Sequence, residues 1–96
     1  MQVFWHPDAV DDIKHIWDYI AQNNPNAATA LCDAIREQTD MLTLFPAAGR
    51  EGRVHNTREL IITGTAYIIA YTTNDTHITI LAVQHSAKTW PHHFIH

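Results

Sequence analysis

Arg58 and His85 are the residues whose types best suit chemistry in this chain. An imidazole exchanges protons near neutral pH, so His85 can act as general acid or base. A guanidinium can hold a phosphate through two parallel hydrogen bonds, which suits Arg58. Arg50 and Arg53 come shortly before Arg58, and Lys88 comes shortly after His85, so three more cations can assist. Trp90 follows and can dock the C-terminal segment or touch a partner. Other chemistries are poorly provided for. Cys32 lies in the apolar, helical run Ala30-Leu31-Cys32-Asp33-Ala34-Ile35 and reads as a packing cysteine. Ser86 adjoins His85, but neighbours on a strand face opposite ways, which argues against a nucleophilic triad. His92, His93 and His96 lack an ordered carboxylate or cysteine beside them, so no metal site and no cofactor is expected.

These residues need a frame, and the stretch 57–91 supplies it. It holds three apolar runs rich in Ile, Val, Tyr and Thr, divided by Gly64-Thr65 and by Asn74-Asp75-Thr76. Branched and aromatic residues favour strands, and Gly and Asn-Asp punctuate them, so the pattern predicts a three-strand antiparallel meander. Arg58 opens its first strand and His85 closes its third. Period-two alternation puts Arg58, Leu60 and Ile62 on one face of the first strand, and Tyr67, Ile69 and Tyr71 on one face of the second. It puts Leu81, Val83 and His85 opposite Ile78, Ile80 and Ala82 in the third. That strand is apolar on both faces, which marks it as central. Residues 2–5 are short and apolar and predict a fourth strand beside it.

Between strand and meander the apolar period changes. Val10, Ile13, Ile16, Trp17 and Ile20 recur at helical spacing, with Pro7 suited to the first turn and Asp8, Asp11 and Asp12 favoured by the helix dipole. Asn24 can cap a second helix that Pro25 opens. Its stripe is Ala28, Leu31, Cys32, Ile35, Leu42 and Phe45, with Thr39 a weak link, and Pro46 stops it. Two striped helices joined by a tight polar turn make a helical hairpin. Residues 46–56 read as a loop, made flexible by Gly49 and Gly52.

At 96 residues and 46% hydrophobic content the chain suits one globular domain, placed at residues 1–91, with 92–96 as a mobile tail. No apolar run approaches bilayer length and no secretory leader opens the chain, so a cytoplasmic location is expected. The net charge is -4. The acids concentrate in the first half, where Lys14 and Arg36 face Asp8, Asp11, Asp12, Asp18, Asp33, Glu37 and Asp40. This balance excludes a general nucleic-acid binder but permits a local cationic site.

The order strand, helix, helix, strand, strand, strand then meets specific residues. Gly49-Arg50, Gly52-Arg53-Val54, Thr57-Arg58-Glu59-Leu60, Tyr67-Ile68-Ile69-Ala70-Tyr71 and Ile80-Leu81-Ala82-Val83-Gln84-His85 stand in sequence, followed by Trp90-Pro91. From Val3 to Pro91 the chain resembles the RelE/ParE superfamily of bacterial toxins from type II toxin–antitoxin modules. The resemblance implies an α+β fold, β-α-α-β-β-β, with the hairpin packed on one face of a mostly antiparallel four-stranded sheet. It implies a cognate antitoxin, a DNA-binding protein with a segment that folds on the toxin in a hetero-oligomer. It also implies one of two targets. RelE-like members cut mRNA on the ribosome, and there His85 and Arg58 match positions that the nucleases use. ParE-like members poison DNA gyrase by binding it. The lysine-rich helix and terminal Tyr of many RelE-like nucleases are missing, and an acidic first helix would be repelled by ribosomal RNA. The reading therefore leans to the ParE-like branch, with Arg50, Arg53, Arg58, His85, Lys88 and Trp90 as contacts for target or antitoxin. A non-toxic α+β interaction protein is the third class.

Overall fold

The computed structural model describes residues 1–87 and Trp90. Strand β1 (Gln2–Trp5) leads into helix α1 (Pro7–Ala21) and helix α2 (Pro25–Asp40), which a 3-10 turn (Met41–Thr43) extends. Strands β2 (Arg50–Glu51), β3 (Arg58–Ile61), β4 (Tyr67–Thr73) and β5 (His77–His85) complete one five-stranded sheet in the order β1-β5-β4-β3-β2. Among the described residues no helix is long and apolar enough to cross a membrane.

The helices start where their capping chemistry places them. Pro7 opens α1, and the His6 side chain accepts a hydrogen bond from the Asp8 amide. Asn24 caps α2 by accepting from Ala27 N at 3.0 Å, ahead of Pro25. α2 ends earlier than its stripe suggests: the chain tightens at Met41, Leu42 is buried, and Phe45 turns out to solvent. Thr39 fits the core because its hydroxyl donates to the carbonyls of Ile35 and Arg36. That back-bonding satisfies a polar group which would otherwise be costly to bury. Cys32 is half-buried; burial pushes its thiol up, and Asp33 adds to the shift, so thiolate chemistry is disfavoured.

The meander forms as expected, with β5 between β4 and β1, and β1 pairs parallel to it. Two features differ from the expectation. The loop before the meander contributes a fifth strand, because Arg50 and Glu51 pair with Glu59 and Arg58. Alternation along β5 also breaks once. Ala70 pairs with Ala82 but Tyr71 pairs with Ile80, so Leu81 is an extra residue in a β-bulge. The bulge reverses the parity that follows it. Val83 and His85 therefore join Ile78 and Ile80 on the helix side, and Ala82 faces away. The core lies on that side, with Ile35, Leu42, Ile62, Ile69, Tyr71, Ile78, Ile80 and Val83 buried together under the hairpin.

Candidate functional site

Cross-strand register sorts the predicted residues into rows. On the helix side Arg58, Tyr71 and Ile80 form one row, Leu60, Ile69 and Val83 the next, and Tyr67 and His85 the last. On the opposite side Glu59, Ala70 and Ala82 stand in one row, and Ile61, Ile68 and Gln84 in the next. Three separate clusters result.

Glu59 is the hub of the first. Its side chain is 1% exposed, yet it is a carboxylate. Arg50 Nη2 donates to Oε1 at 3.0 Å, the Arg53 backbone N–H donates to Oε2 at 2.7 Å, and Arg53 Nε donates to both oxygens. Burial alone would raise the carboxyl pKa. The donations from Arg53 and Arg50 outweigh it and hold the group below its ordinary value of 4.5. The Arg53 guanidinium also lies 3.9 Å from the centre of the Trp90 ring, a cation–π contact that ties Trp90 to this cluster. Arg50, Arg53, Ile61, Ala66, Ile68 and Ser86 line a groove of about 500 Å³ beside this hub.

Arg58 belongs to a second cluster on the helix side. Its Nη1 donates to Gly49 O at 2.8 Å. The Tyr71 hydroxyl accepts from Gly49 N at 2.9 Å and donates to Pro46 O at 2.8 Å. Burial pushes this phenol above its ordinary value of 10.0, with the Gly49 N–H and Arg58 acting the other way, so it stays a donor. Here the glycines serve close approach rather than flexibility. A Cβ on Gly49 would lie 2.7 Å from the Tyr71 ring, and one on Gly52 would press into the Thr57 backbone at 2.8 Å. Tyr71→Phe removes the hydroxyl and leaves the Gly49 N–H and the Pro46 carbonyl without it. The expected loss is about 1–3 kcal/mol in denaturant melts, with faster amide exchange at Gly49 as the local signature.

His85 belongs to the third cluster. Its Nδ1 accepts from Ala87 N at 3.1 Å, which leaves the exchangeable proton on Nε2 when the ring is neutral. The ring meets Tyr67 edge-on at 5.4 Å. Asp12, His15, Ile16, Tyr19 and Tyr67 share its groove, of about 240 Å³. Asp12 Oδ2 accepts from Val83 N at 2.9 Å and so caps β5 where β1 has ended.

Arg58 and His85 therefore share a face but not a site. They are four residues apart along β4, about 13 Å, and two strand spacings apart, about 10 Å, hence roughly 16 Å in all. The apolar row of half-buried Leu60 and buried Ile69 and Val83 lies between them. Arg50 and Arg53 are on the opposite face from both, turned towards Glu59. Lys88 and the tail 92–96 fall outside the described residues. Sequence reasoning missed Glu59 as the hub, although a carboxylate in an apolar strand shortly after two arginines was a usable signal. It also placed Tyr71 only on a strand face with Tyr67 and Ile69, and nothing in the spacing links a Tyr hydroxyl to a loop many residues earlier.

The chain has clear relatives. The family model described as ParE toxin of type II toxin-antitoxin system, parDE, matches residues 3–90. The putative toxin Y4kP of Sinorhizobium fredii is 34% identical over 90 residues, spanning 94% of this chain and 93% of the relative. The toxin RelE2 of Caulobacter vibrioides is 32% identical over 87 residues, spanning 91% of this chain and 97% of the relative. A chain from the chromosomal ParDE TA system of P. aeruginosa shares the fold, with a TM-score of 0.79 over 88% of this chain and 95% of that one, at 24% identity.

Proposed function

The chain belongs to the ParE toxin family of type II toxin–antitoxin systems, and from that premise we propose that it arrests growth by binding DNA gyrase and not by cutting RNA. The family brings an antitoxin partner with it. The observation that carries the gyrase reading is the separation of Arg58 from His85. Ribose-directed cleavage needs an acid or base and a phosphate-holding cation around one phosphorus atom. Here the apolar Leu60–Ile69–Val83 row stands between those two groups, and Arg58 is engaged by Gly49 O. Arg50 and Arg53 are drawn to a carboxylate on the other face.

A toxin that works by binding asks less of its side chains. It needs exposed apolar and aromatic groups that a partner can bury. Tyr19 and Leu44 are each 75% exposed, and Met41 and Phe45 lie beside Leu44 in sequence and are also exposed. The cytoplasm, where gyrase works, is the matching location.

One observation favours a second reading. His85 shares a groove with His15, Tyr19 and Tyr67, so proton-transfer groups gather at that end of the sheet without Arg58. A pulse of toxin expression separates the two. We expect gyrase-linked DNA breaks to rise before translation falls. Codon-linked mRNA cuts in primer extension, without DNA breaks, would replace the gyrase reading with the ribosome-dependent endoribonuclease.

A further inference from the structure

The sheet ends at β1, whose one neighbour is β5. The Gln2 N–H donates to Thr76 O at 3.3 Å and the His6 N–H to Ile80 O at 2.8 Å, both inward. By alternation the N–H and C=O groups of Val3 and Trp5 face outward. Among the described residues no strand pairs with them. Sheet edges are commonly blunted by a charged side chain, a proline within the strand or a bulge. Residues 1–6 contain no Asp, Glu, Lys, Arg or Pro, and the β1–β5 register is unbroken. Only its length of four residues protects this edge.

Apolar groups flank the edge on both faces. Away from the hairpin, Phe4 is 50% exposed and meets the His77 ring edge-on at 5.2 Å. On the hairpin side Trp5 joins Val10, Ile13 and Cys32 in lining a groove of about 320 Å³, and Val10 is also 50% exposed. The strand is complementary to itself. A two-fold axis through Phe4 sets Val3 against Trp5 of a second copy, and Trp5 against its Val3. All four residues face outward, so a closed set of N–H···O=C bonds forms. Phe4 then stands directly opposite Phe4 of the second copy, as a close aromatic pair.

Charge selects the same seam. The chain carries -4, so two copies repel over most of their surface. Asp8, Asp11 and Asp12 line a separate groove with Leu81 and Ala82, past the end of the β1 ladder. Along β1 no like charges come opposite one another. A ladder of four residues is about 13 Å long, which keeps the buried area under about 1,200 Å² and the association weak and reversible.

We infer that the chain forms a weak two-fold homodimer by antiparallel pairing of β1 with β1 of a second copy, centred on Phe4, which joins the two five-stranded sheets into one. The inference stands apart from the gyrase reading and does not use it.

The test uses the full chain without its antitoxin, in sedimentation velocity over a range of concentrations, with amide exchange followed by NMR. A monomer–dimer equilibrium is expected, and it should tighten as salt rises from about 50 to 500 mM and screens the net charge. The amides of Val3 and Trp5 should gain protection as concentration rises, while those of Gln2 and His6 are protected throughout. Phe4→Lys sets like charges opposite one another and is expected to weaken the dimer about tenfold or more. Phe4 is half exposed, and an unchanged thermal melt certifies the fold of the variant. Phe4→Cys combined with Cys32→Ser gives a second measure, since oxidation should link two copies through position 4. A chain that stays monomeric at every concentration, a dimer indifferent to Phe4→Lys, or one that loosens with salt overturns the proposal. So does protection of Val3 and Trp5 that appears only with antitoxin bound, which would give this edge to the antitoxin. Gyrase-linked breaks are scored separately, so failure here leaves that reading standing.

Discussion

Glu59→Ala is expected to destabilise the protein by about 2–3 kcal/mol, a fall in melting temperature of roughly 10–20 °C for a domain of this size. The loss has three parts. The Arg53 backbone N–H loses its acceptor, two guanidiniums lose their counter-charge, and a fully buried side chain leaves a void. The figure falls below the 3–5 kcal/mol typical of breaking a buried pair because both arginines can turn to water. The reciprocal change should be unequal. Arg50→Ala removes one partner that is half exposed, so solvent screening keeps its cost under about 1 kcal/mol. Acid should act through the same group. Its folded pKa lies below the ordinary 4.5, so the unfolded chain binds this proton more readily. The stabilisation is complete above the unfolded value and disappears as pH falls through the folded one. Melts of wild type and Glu59→Ala between neutral pH and pH 3 should therefore draw closer at the acid end, with the void keeping a residual gap. Curves that stay parallel would mean that Glu59 contributes by shape and not by charge.

His85→Ala is expected to leave toxicity within a few-fold of wild type. A general acid or base contributes about 10²–10⁴-fold in rate, and a toxin that depended on one would be disarmed by the change. A gyrase poison loses only the contacts of one ring, which touches Tyr67 and the Ala87 amide. The variant should melt close to wild type and should still be recovered with its antitoxin. Growth after induction gives the first measure, and gyrase-linked breaks beside primer extension give the second. A variant that folds, keeps its antitoxin and yet loses toxicity with the loss of codon-linked mRNA cuts would make His85 the catalytic acid or base.

The architecture was legible because it is written in short-range patterns. Helical spacing from Val10 to Ile20, the Asn24-Pro25 start signal and the turns at Gly64 and Asn74 each depend on neighbours in sequence. β2 was hidden because two polar residues in a Gly-rich loop carry no strand period; they pair only because Arg58 and Glu59 offer an edge. The bulge was hidden because Leu81 is as apolar as its neighbours, so parity fails without any change in composition. That one residue decides which face His85 occupies. Candidate site residues could be named by type, but their grouping could not. Arg50 and Arg53 seemed allied with Arg58, and the sheet separates them because adjacent strand residues, Arg58 and Glu59, face opposite ways.

The parallel pairing of β1 with β5 has a consequence for synthesis. Val3 to Trp5 align with Ile78 to Ile80, so an early strand waits for one that is translated much later. β4 likewise completes its ladder only on β5. Such non-local closure is slow compared with helix formation, and it cannot begin on a nascent chain whose last strand is still inside the ribosome. The hairpin can form early, but the sheet that gives it a surface to pack on cannot. A premature stop anywhere before β5 yields a fragment without the strand that joins β1 to β4. A lesion in β5 therefore disrupts the sheet as deeply as one in β1, because both sides of the sheet close on that strand.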